Sequence, residues 1–187
     1  EGTVNINSLT FTPANWFTPQ TINVAGVDDV LVDGNVTYNI VLNPADSTDL
    51  VYDDIDPADV AVLNIDDDAV GFTVIESDGT TIAAEDGSTD TLRVLLNTAP
   101  VSSVVININN SDATELVLGQ TSLTFTSANW NIAQEITLAA IDDTDLDGNQ
   151  NVTLTFSVDD TNSDDAFDDL ADQSINVTTI DNDTDTL

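Results

Sequence analysis

An all-β fold is what this 187-residue sequence predicts, and three observations carry the prediction. Short stretches alternate apolar and polar residues with period two, which places every second side chain on one face. Asn, Asp, Gly, Ser and Pro fill the gaps between these stretches and supply turn chemistry. Nothing of helical period persists for a dozen residues. Along the chain, AAEDGSTDTLRVLL (83–96) reads as a strand end, a tight acidic turn and a second strand. VVININ (104–109), SLTFT (122–126), EITLAA (135–140), VTLTFSV (152–158) and SINVTT (174–179) follow. Each is rich in the Val, Ile, Thr and Phe that suit a pleated, half-buried surface. About seven strands in roughly 115 residues predict an antiparallel β-sandwich of immunoglobulin-like topology.

The sequence also repeats itself. LTFTPANW (9–16) returns as LTFTSANW (123–130), and residues 9–42 align without gaps on 123–156 with nearly half of the positions identical. The identities gather in three places: the LTFT/ANW block, Asp28-Asp29 against Asp142-Asp143, and Asp33-Gly34-Asn35 against Asp147-Gly148-Asn149. NIDDD (64–68) answers to TIDND (179–183), with one extra residue in the second copy. A period of this length matches a small domain and exceeds the 20–50 residues of a solenoid turn. Two tandem sandwiches are therefore expected: residues 1–68 and 69–183, with 184–187 opening a further unit. The first begins at Glu1, the position equivalent to Glu115, so the strands answering to residues 69–110 are expected to be missing from it. Trp16 and Trp130 fall at the turn between two strands, where a large side chain anchors the turn more readily than it offers a sugar-stacking platform.

Composition excludes most chemistry. There are 35 acidic residues against a single basic one, Arg93, and a formal net charge of −34. With no Cys, His, Met or Lys, the usual nucleophiles, bases and soft-metal ligands are missing, so no enzymatic activity is expected. Nucleic-acid and anionic-membrane binding need the clustered cations that this chain lacks. No apolar run approaches the roughly 20 residues of a membrane span, so no membrane insertion is expected. What the chain has in excess is carboxylate oxygen.

The order of features over residues 69–183 resembles the Calx-β repeat. These features are a strand, a Glu ahead of a small polar turn (Glu85), an acidic residue eight before the Leu of Leu-Thr-Phe (Glu115), a double-Asp loop, and a last strand closing on an acidic triplet. The first unit shares only the later part of this order. The resemblance implies a seven-stranded sandwich binding Ca²⁺ at one end. Carried over by position, it implies metal ligands at Glu85, Glu115, Asp142, Asp143, Asp147, Asp181 and Asp183, and in the first unit at Glu1, Asp28, Asp29, Asp33, Asp66, Asp67 and Asp68. Two departures from the family pattern are expected to cost ions or affinity: Gln150 and Val36 stand where a second Glu is usual, and Asn182 breaks the second triplet.

Physical reasoning leads to the same loops. In an immunoglobulin-like sandwich the three connections that carry these residues lie at one end, with the exit of the last strand. Carboxylates crowded there persist only with protons or a cation. An oxygen-only donor set suits Ca²⁺, which takes six to eight oxygens in flexible geometry. Asp is used six times as often as Glu, yet three of the five Glu (Glu1, Glu85, Glu115) sit at these positions. Asp143-Thr-Asp145-Leu-Asp147-Gly148 copies the first half of an EF-hand loop, but Leu154 occupies the twelfth position and no flanking helix is predicted.

These readings converge on a spacer repeat of a large bacterial surface protein or adhesin. It is expected to be extracellular, where millimolar Ca²⁺ fills weak sites, and to use neighbouring repeats of the same chain as partners, with a cell-surface or matrix partner possible. The acidic segments 51–59 and 166–173 are expected at the opposite end of their units, and a calcium-stiffened joint to the neighbouring unit is expected there. A glycan- or protein-binding module, or an accessory domain of a secreted enzyme, are the alternatives.

Overall fold

The computed structural model describes residues 1–184, so the expected opening of a further unit at 184–187 lies, from residue 185 on, outside the described residues. The all-β expectation is met: the described residues form strands, turns and one short 3-10 turn at Asp165–Phe167. None of their helices is long and apolar enough to cross a membrane. The chain divides into two compact units, one of residues 1–67 and one starting at Asp68.

The second unit is a sandwich of two sheets. Its strands are β5 (Phe72–Glu76), β6 (Thr81–Ala84), β7 (Thr89–Leu96), β8 (Val104–Asn110), β9 (Leu116–Leu118), β10 (Ser122–Phe125), β11 (Gln134–Ala140), β12 (Gln150–Val158) and β13 (Gln173–Ile180). One sheet has the order β10-β8-β12-β13-β6, the other β5-β7-β11-β9. The period-two pattern explains the core. Leu92, Val94 and Leu96 of β7, with Ile136 and Leu138 of β11, face Ile106 of β8 and Val152, Leu154 and Phe156 of β12, all almost wholly shielded from solvent. Burying each such side chain contributes roughly 1.5–3 kcal/mol.

Nine strands stand where about seven are expected, because the opening strand is split into β5 and β6 and a short strand, β9, forms ahead of β10. β5 and β6 belong to opposite sheets, joined by a kink through Gly79, whose φ of 80° favours glycine. Asp90 holds that kink: its carboxylate accepts from the Ser77 hydroxyl and from the amides of Ile82, at 2.9 Å, and Thr91. The switch also makes β6 run parallel to β13, an exception in an otherwise antiparallel fold.

The first unit contains two two-stranded antiparallel ribbons and not a sandwich. β1 (Gly2–Val4) pairs with β2 (Val24–Gly26), and β3 (Val36–Ile40) pairs with β4 (Val60–Asn64). Their registers repeat those of the second unit residue for residue. Gly2↔Gly26 answers to Leu116↔Ala140, and Val36↔Asn64 answers to Gln150↔Thr179. The ribbons touch where the Tyr38 phenol lies over Gly2, so closely that a Cβ there would collide with it. No residue of this unit is fully buried.

The duplicated phrase proves to be a side-chain-locked turn. Thr126 N and Oγ1 both donate to Asn129 Oδ1, at 2.6 and 2.9 Å, and Gln134 Nε2 donates to Thr124 O at 2.7 Å. Thr12, Asn15, Gln20 and Thr10 make the same bonds in the first unit. Trp130 packs against the core beside this turn, whereas Trp16 is 68% exposed and rests edge-on against Phe17.

Candidate metal centre

At one end of the sandwich four pieces of chain converge: the turn from β6 to β7, the entry to β9, the loop from β11 to β12, and the exit of β13. The ladders force this convergence, because Ala84 lies opposite Ile180, Ala140 opposite Leu116, and Gln150 opposite Thr179. Glu85 follows Ala84, and its amide donates to Ile180 O at 3.1 Å. Glu115 precedes Leu116, and its carbonyl accepts from Ile141 N at 2.9 Å. The β11–β12 loop is tied to the β13 exit twice. Gly148 N donates to Asp181 Oδ2 at 2.7 Å, and Asp181 N donates to Asn149 Oδ1 at 3.2 Å. A φ of 73° at Gly148 aims its N–H inward, which explains a Gly at this point of the repeated Asp-Gly-Asn.

Within this end, Glu85, Asp181 and Asp183 each offer a carboxylate oxygen lying within 4.8 Å of the other two. Glu85 is only 7% exposed. Its Oε2 accepts one amide, Asn182 N at 3.2 Å, and that bond draws its proton affinity down. Loss of water and the fields of Asp181, Asp143 and Asp183 together outweigh the bond and push the carboxyl above its ordinary range. Burial, then Asp147, Asp112, Asp143 and Glu85, push Glu115 up. Burial, then Asp181, Asp143, Asp142 and Asp145, do the same to Asp183. One oxygen of Asp183, Oδ2, is buried without any hydrogen-bond partner. Three further residues carried over from the family pattern, Glu115, Asp142 and Asp143, are therefore in electrostatic range of the Glu85–Asp181–Asp183 group, and Asp147 is in range of Glu115. Asp142 accepts from Asn182 Nδ2 at 3.3 Å, and Glu115 accepts from Thr179 Oγ1 at 3.5 Å.

No cationic side chain of the protein relieves this crowding. Arg93 is the sole Lys or Arg and is spent on Glu135, 3.1 Å away across the β7–β11 ladder, on the solvent side of the sandwich. Asp164 shows what a carboxylate with a purely internal role looks like. It is as buried as Glu85, at 6% exposure. Val101 N, Ser102 N and Ala166 N all donate to it, at 2.7, 3.1 and 3.2 Å. Burial alone would raise its proton affinity, but these three amides hold it below the ordinary value. Amides reach Glu85 (Asn182 N) and Asp181 (Gly148 N and Asp183 N), but the three carboxylates also crowd one another and Asp183 Oδ2 is left with no partner. The donor set, all oxygen with one orphaned carboxylate atom, fits a hard divalent cation such as Ca²⁺.

The first unit rebuilds part of the same end. Gly34 N donates to Asp66 Oδ2 at 2.6 Å, Asp66 N to Asn35 Oδ1 at 2.9 Å, and Val27 N to Glu1 O at 3.0 Å. Leu31 N donates to Asp29 Oδ1 at 2.9 Å, as Asp145 N does to Asp143 Oδ1 at 2.7 Å. Asp28 and Asp67 line an open pocket of about 230 Å³ with Gly26, Val27, Asn64 and Ile65, and Asn64 Nδ2 reaches Glu1 Oε2 at 3.1 Å. Asp33 lies on the loop ahead of β3, and Asp68 opens the second unit. Among the described residues, only the Glu85 group brings three ligand atoms together, so the first unit offers no equivalent cluster.

Sequence reasoning passed over the donors that shape this end. Asn182 reads as a lost charge, yet it ties Glu85 to Asp142. Gln150 reads as a lost Glu, yet its Nε2 holds Asp147 O at 3.2 Å. Asn149 was visible as an identity in the repeat, and its pairing with Asn35 was the available signal. The EF-hand-like loop joins two strands, β11 and β12, and no helix flanks it.

No protein-family model and no curated protein matches this sequence. Among solved structures, the chain is similar to the apo-form Calx CBD1 domain, with 13% identity, 60% of this chain and 98% of that one covered, and a TM-score of 0.39. It is also similar to the periplasmic chaperone SfaE, with 11% identity, coverage of 63% and 60%, and a TM-score of 0.43. A third is SSP-19, an MSP-domain-like protein of Caenorhabditis elegans, with 11% identity, coverage of 57% and 96%, and a TM-score of 0.37. The chain thus spans about 60% of the length of the SfaE chain. The class of protein reached is an all-β, immunoglobulin-like sandwich with an acidic end, and the likenesses are distant ones of architecture.

Proposed function

We propose that this chain is a calcium-binding structural module of an extracellular protein, a spacer whose acidic end is set by the ion. The observation that carries the reading is the Glu85–Asp181–Asp183 group, in which a buried carboxylate, an orphaned carboxylate oxygen and a third carboxylate meet with no protein cation beside them. Glu85, Asp181 and Asp183 would hold the ion, and Glu115, Asp142, Asp143 and Asp147 would add negative potential around it. The ion would supply charge neutralisation and a cross-link between the β6–β7 turn and the exit of β13. Metal that binds only the folded state stabilises it by mass action. Extracellular Ca²⁺, at millimolar levels, saturates even weak modules of this kind. The aromatic content of 5% leaves little material for a broad sugar-stacking surface, which favours the spacer over a glycan-binding module.

Small-angle scattering of the intact chain, with Ca²⁺ and with EGTA, tests the spacer reading. The native chain is expected to become stiffer and more extended with Ca²⁺, and an Asp67→Ala variant, altered where the first unit leads into the second, to lose that response. Identical native profiles would remove the mechanical role, and strong hits on a glycan array would favour the binding module.

A further inference from the structure

Charge is unevenly spread over the two sheets of the second unit. β6, β8, β10, β12 and β13 make up one sheet, and not one of their residues is charged, although 19% of the whole chain is. The other sheet carries Glu76, Asp90, Arg93 and Glu135. Burial explains the inward half of the uncharged strands, where Ile106, Leu123, Leu154 and Val177 alternate into the core. It does not explain the outward half. There β8 presents Asn107 and Asn109, β12 presents Asn151 and β13 presents Asn176, all four exposed. Asn is a poor strand former, so neither burial nor local propensity asks for it at four outward positions of one sheet.

The outward side chains are tied to one another across the ladders. Thr153 Oγ1 donates to Asn176 Oδ1 at 3.1 Å, Thr178 Oγ1 donates to Asn151 Oδ1 at 3.3 Å, and the hydroxyls of Thr155 and Ser174 lie 3.5 Å apart. These bonds use the oxygens of Asn151 and Asn176 and leave their Nδ2 donors, beside the lone pairs of the threonine hydroxyls, for an outside partner. A surface that bears both donors and acceptors, and no charge, complements itself when turned about a two-fold axis. On it two chains of net charge −34 meet without setting carboxylate against carboxylate. The acids start at its rim, where Asp159 accepts from Asn107 Nδ2 at 3.5 Å. Five strands about 4.8 Å apart and about 25 Å long offer roughly 500 Å² per copy, or about 1,000 Å² in all, which is the lower limit for a specific contact.

We infer that this face pairs with the same face of a second copy of the chain, in a weak and reversible two-fold contact whose outward Asn, Thr and Ser side chains interleave as the inner faces of a sandwich do. Thr155, on the central strand β12 and opposite both Asn109 and Ser174, lies at its middle. A neutral polysaccharide also offers hydroxyls, but the face has no ring to stack on a sugar, since Phe125 and Phe156, the aromatic residues of these strands, are both buried in the core. The contact needs no metal ion and stands apart from the acidic end.

Sedimentation velocity of the full chain, from micromolar to near-millimolar concentration and at about 0.1 M and about 1 M NaCl, tests this. A dimer that grows with concentration is expected, and more of it at the higher salt, because the contact has no ion pair to weaken while the repulsion between the acidic ends is screened. Thr155→Asp sets two carboxylates against each other across the two-fold and is expected to weaken association at least about tenfold. Thr137→Asp, exposed on the opposite sheet, is expected to leave it unchanged. The chain has no Cys, so single cysteines report the geometry: Thr155→Cys is expected to oxidise to a disulfide-linked dimer and Thr137→Cys to remain monomeric under the same conditions. A native chain that stays monomeric throughout overturns the inference, and so does a dimer weakened equally by both Asp substitutions or linked through Thr137→Cys. Retention of a monomeric chain on an insoluble neutral polysaccharide overturns it as well, because a glycan would then be the occupant.

Discussion

Glu85 and Asp164 are carboxylates of equal burial in one sandwich, and the difference between them is one of neighbours. Three amides satisfy Asp164, whereas Glu85 has one amide and a ring of acids. Removing each should have opposite effects. Asp164→Ala leaves buried amides unpaired and is expected to cost about 2 kcal/mol in urea unfolding, with or without Ca²⁺. Glu85→Gln removes repulsion, so it is expected to raise the melting temperature in EGTA while weakening Ca²⁺ binding at least about tenfold by calorimetry. A lower melting temperature in EGTA would show that Glu85 is not strained by its neighbours. The pH dependence has a definite sign. Glu85, Glu115 and Asp183 bind protons more tightly folded than unfolded, so they favour folding below their raised values, which for the two Glu lie above 4.5, and that contribution is lost as pH rises through them. Asp90 and Asp164 behave conversely, since their stabilisation is present above 3.8 and is lost as pH falls through their lowered values. In EGTA the second unit is therefore expected to lose melting temperature as pH rises from about 4.5 through the raised values of Glu85 and Glu115, and saturating Ca²⁺ should remove most of that loss by keeping the acids ionised and paired. A melting temperature in EGTA that rises steadily with pH from 4.5 upward would contradict this.

At the scale of elements, the β11–β12 loop and the exit of β13 act as one piece through Gly148, Asn149 and Asp181. Gly148→Ala puts a Cβ on a residue at φ 73° and is expected to cost roughly 1–2 kcal/mol in denaturant unfolding, together with a loss of Ca²⁺ affinity. The strands themselves were legible, because alternation of Val, Ile, Leu and Phe with polar residues states which face is buried. The splitting of the opening strand was not, since it depends on Asp90 reaching Ser77 and Ile82, and to the eye Asp90 is one more acid in an acidic chain. Duplication made the site loops legible, for it selected Asp-Asp and Asp-Gly-Asn from thirty aspartates. It could not show that only Glu85, Asp181 and Asp183 approach closely, because that closeness is set by the parallel pairing of β6 with β13. The repeated Trp is expected to anchor a turn, and the second copy, Trp130, packs against the core in that way. Trp130→Ala is expected to destabilise the second unit by about 3 kcal/mol, and Trp16→Ala to leave its melting unchanged.

At the scale of the whole molecule, fold class was readable from local pattern alone, whereas the state of the first unit was not. Residues 1–67 carry the same alternation and the same turn chemistry as their counterparts, yet no residue among them is fully buried. Strand propensity is local; burial needs the flanking strands that in the second unit come from residues 72–110. The expected calcium-stiffened joint remains a proposal, and scattering with and without the ion is its test. The central claim, that divalent ions hold the acidic end of the second unit together, has a more direct one. Thermal unfolding of the intact chain is followed with EGTA and with Ca²⁺ at one hundred times its dissociation constant. Mass action then adds about 2.7 kcal/mol to the folded state, which for a unit of this size raises the melting temperature by roughly 8–16 °C. The account predicts that rise for the native chain and its loss in Asp183→Asn, and a melting temperature indifferent to EGTA, with no heat of Ca²⁺ binding, would contradict it.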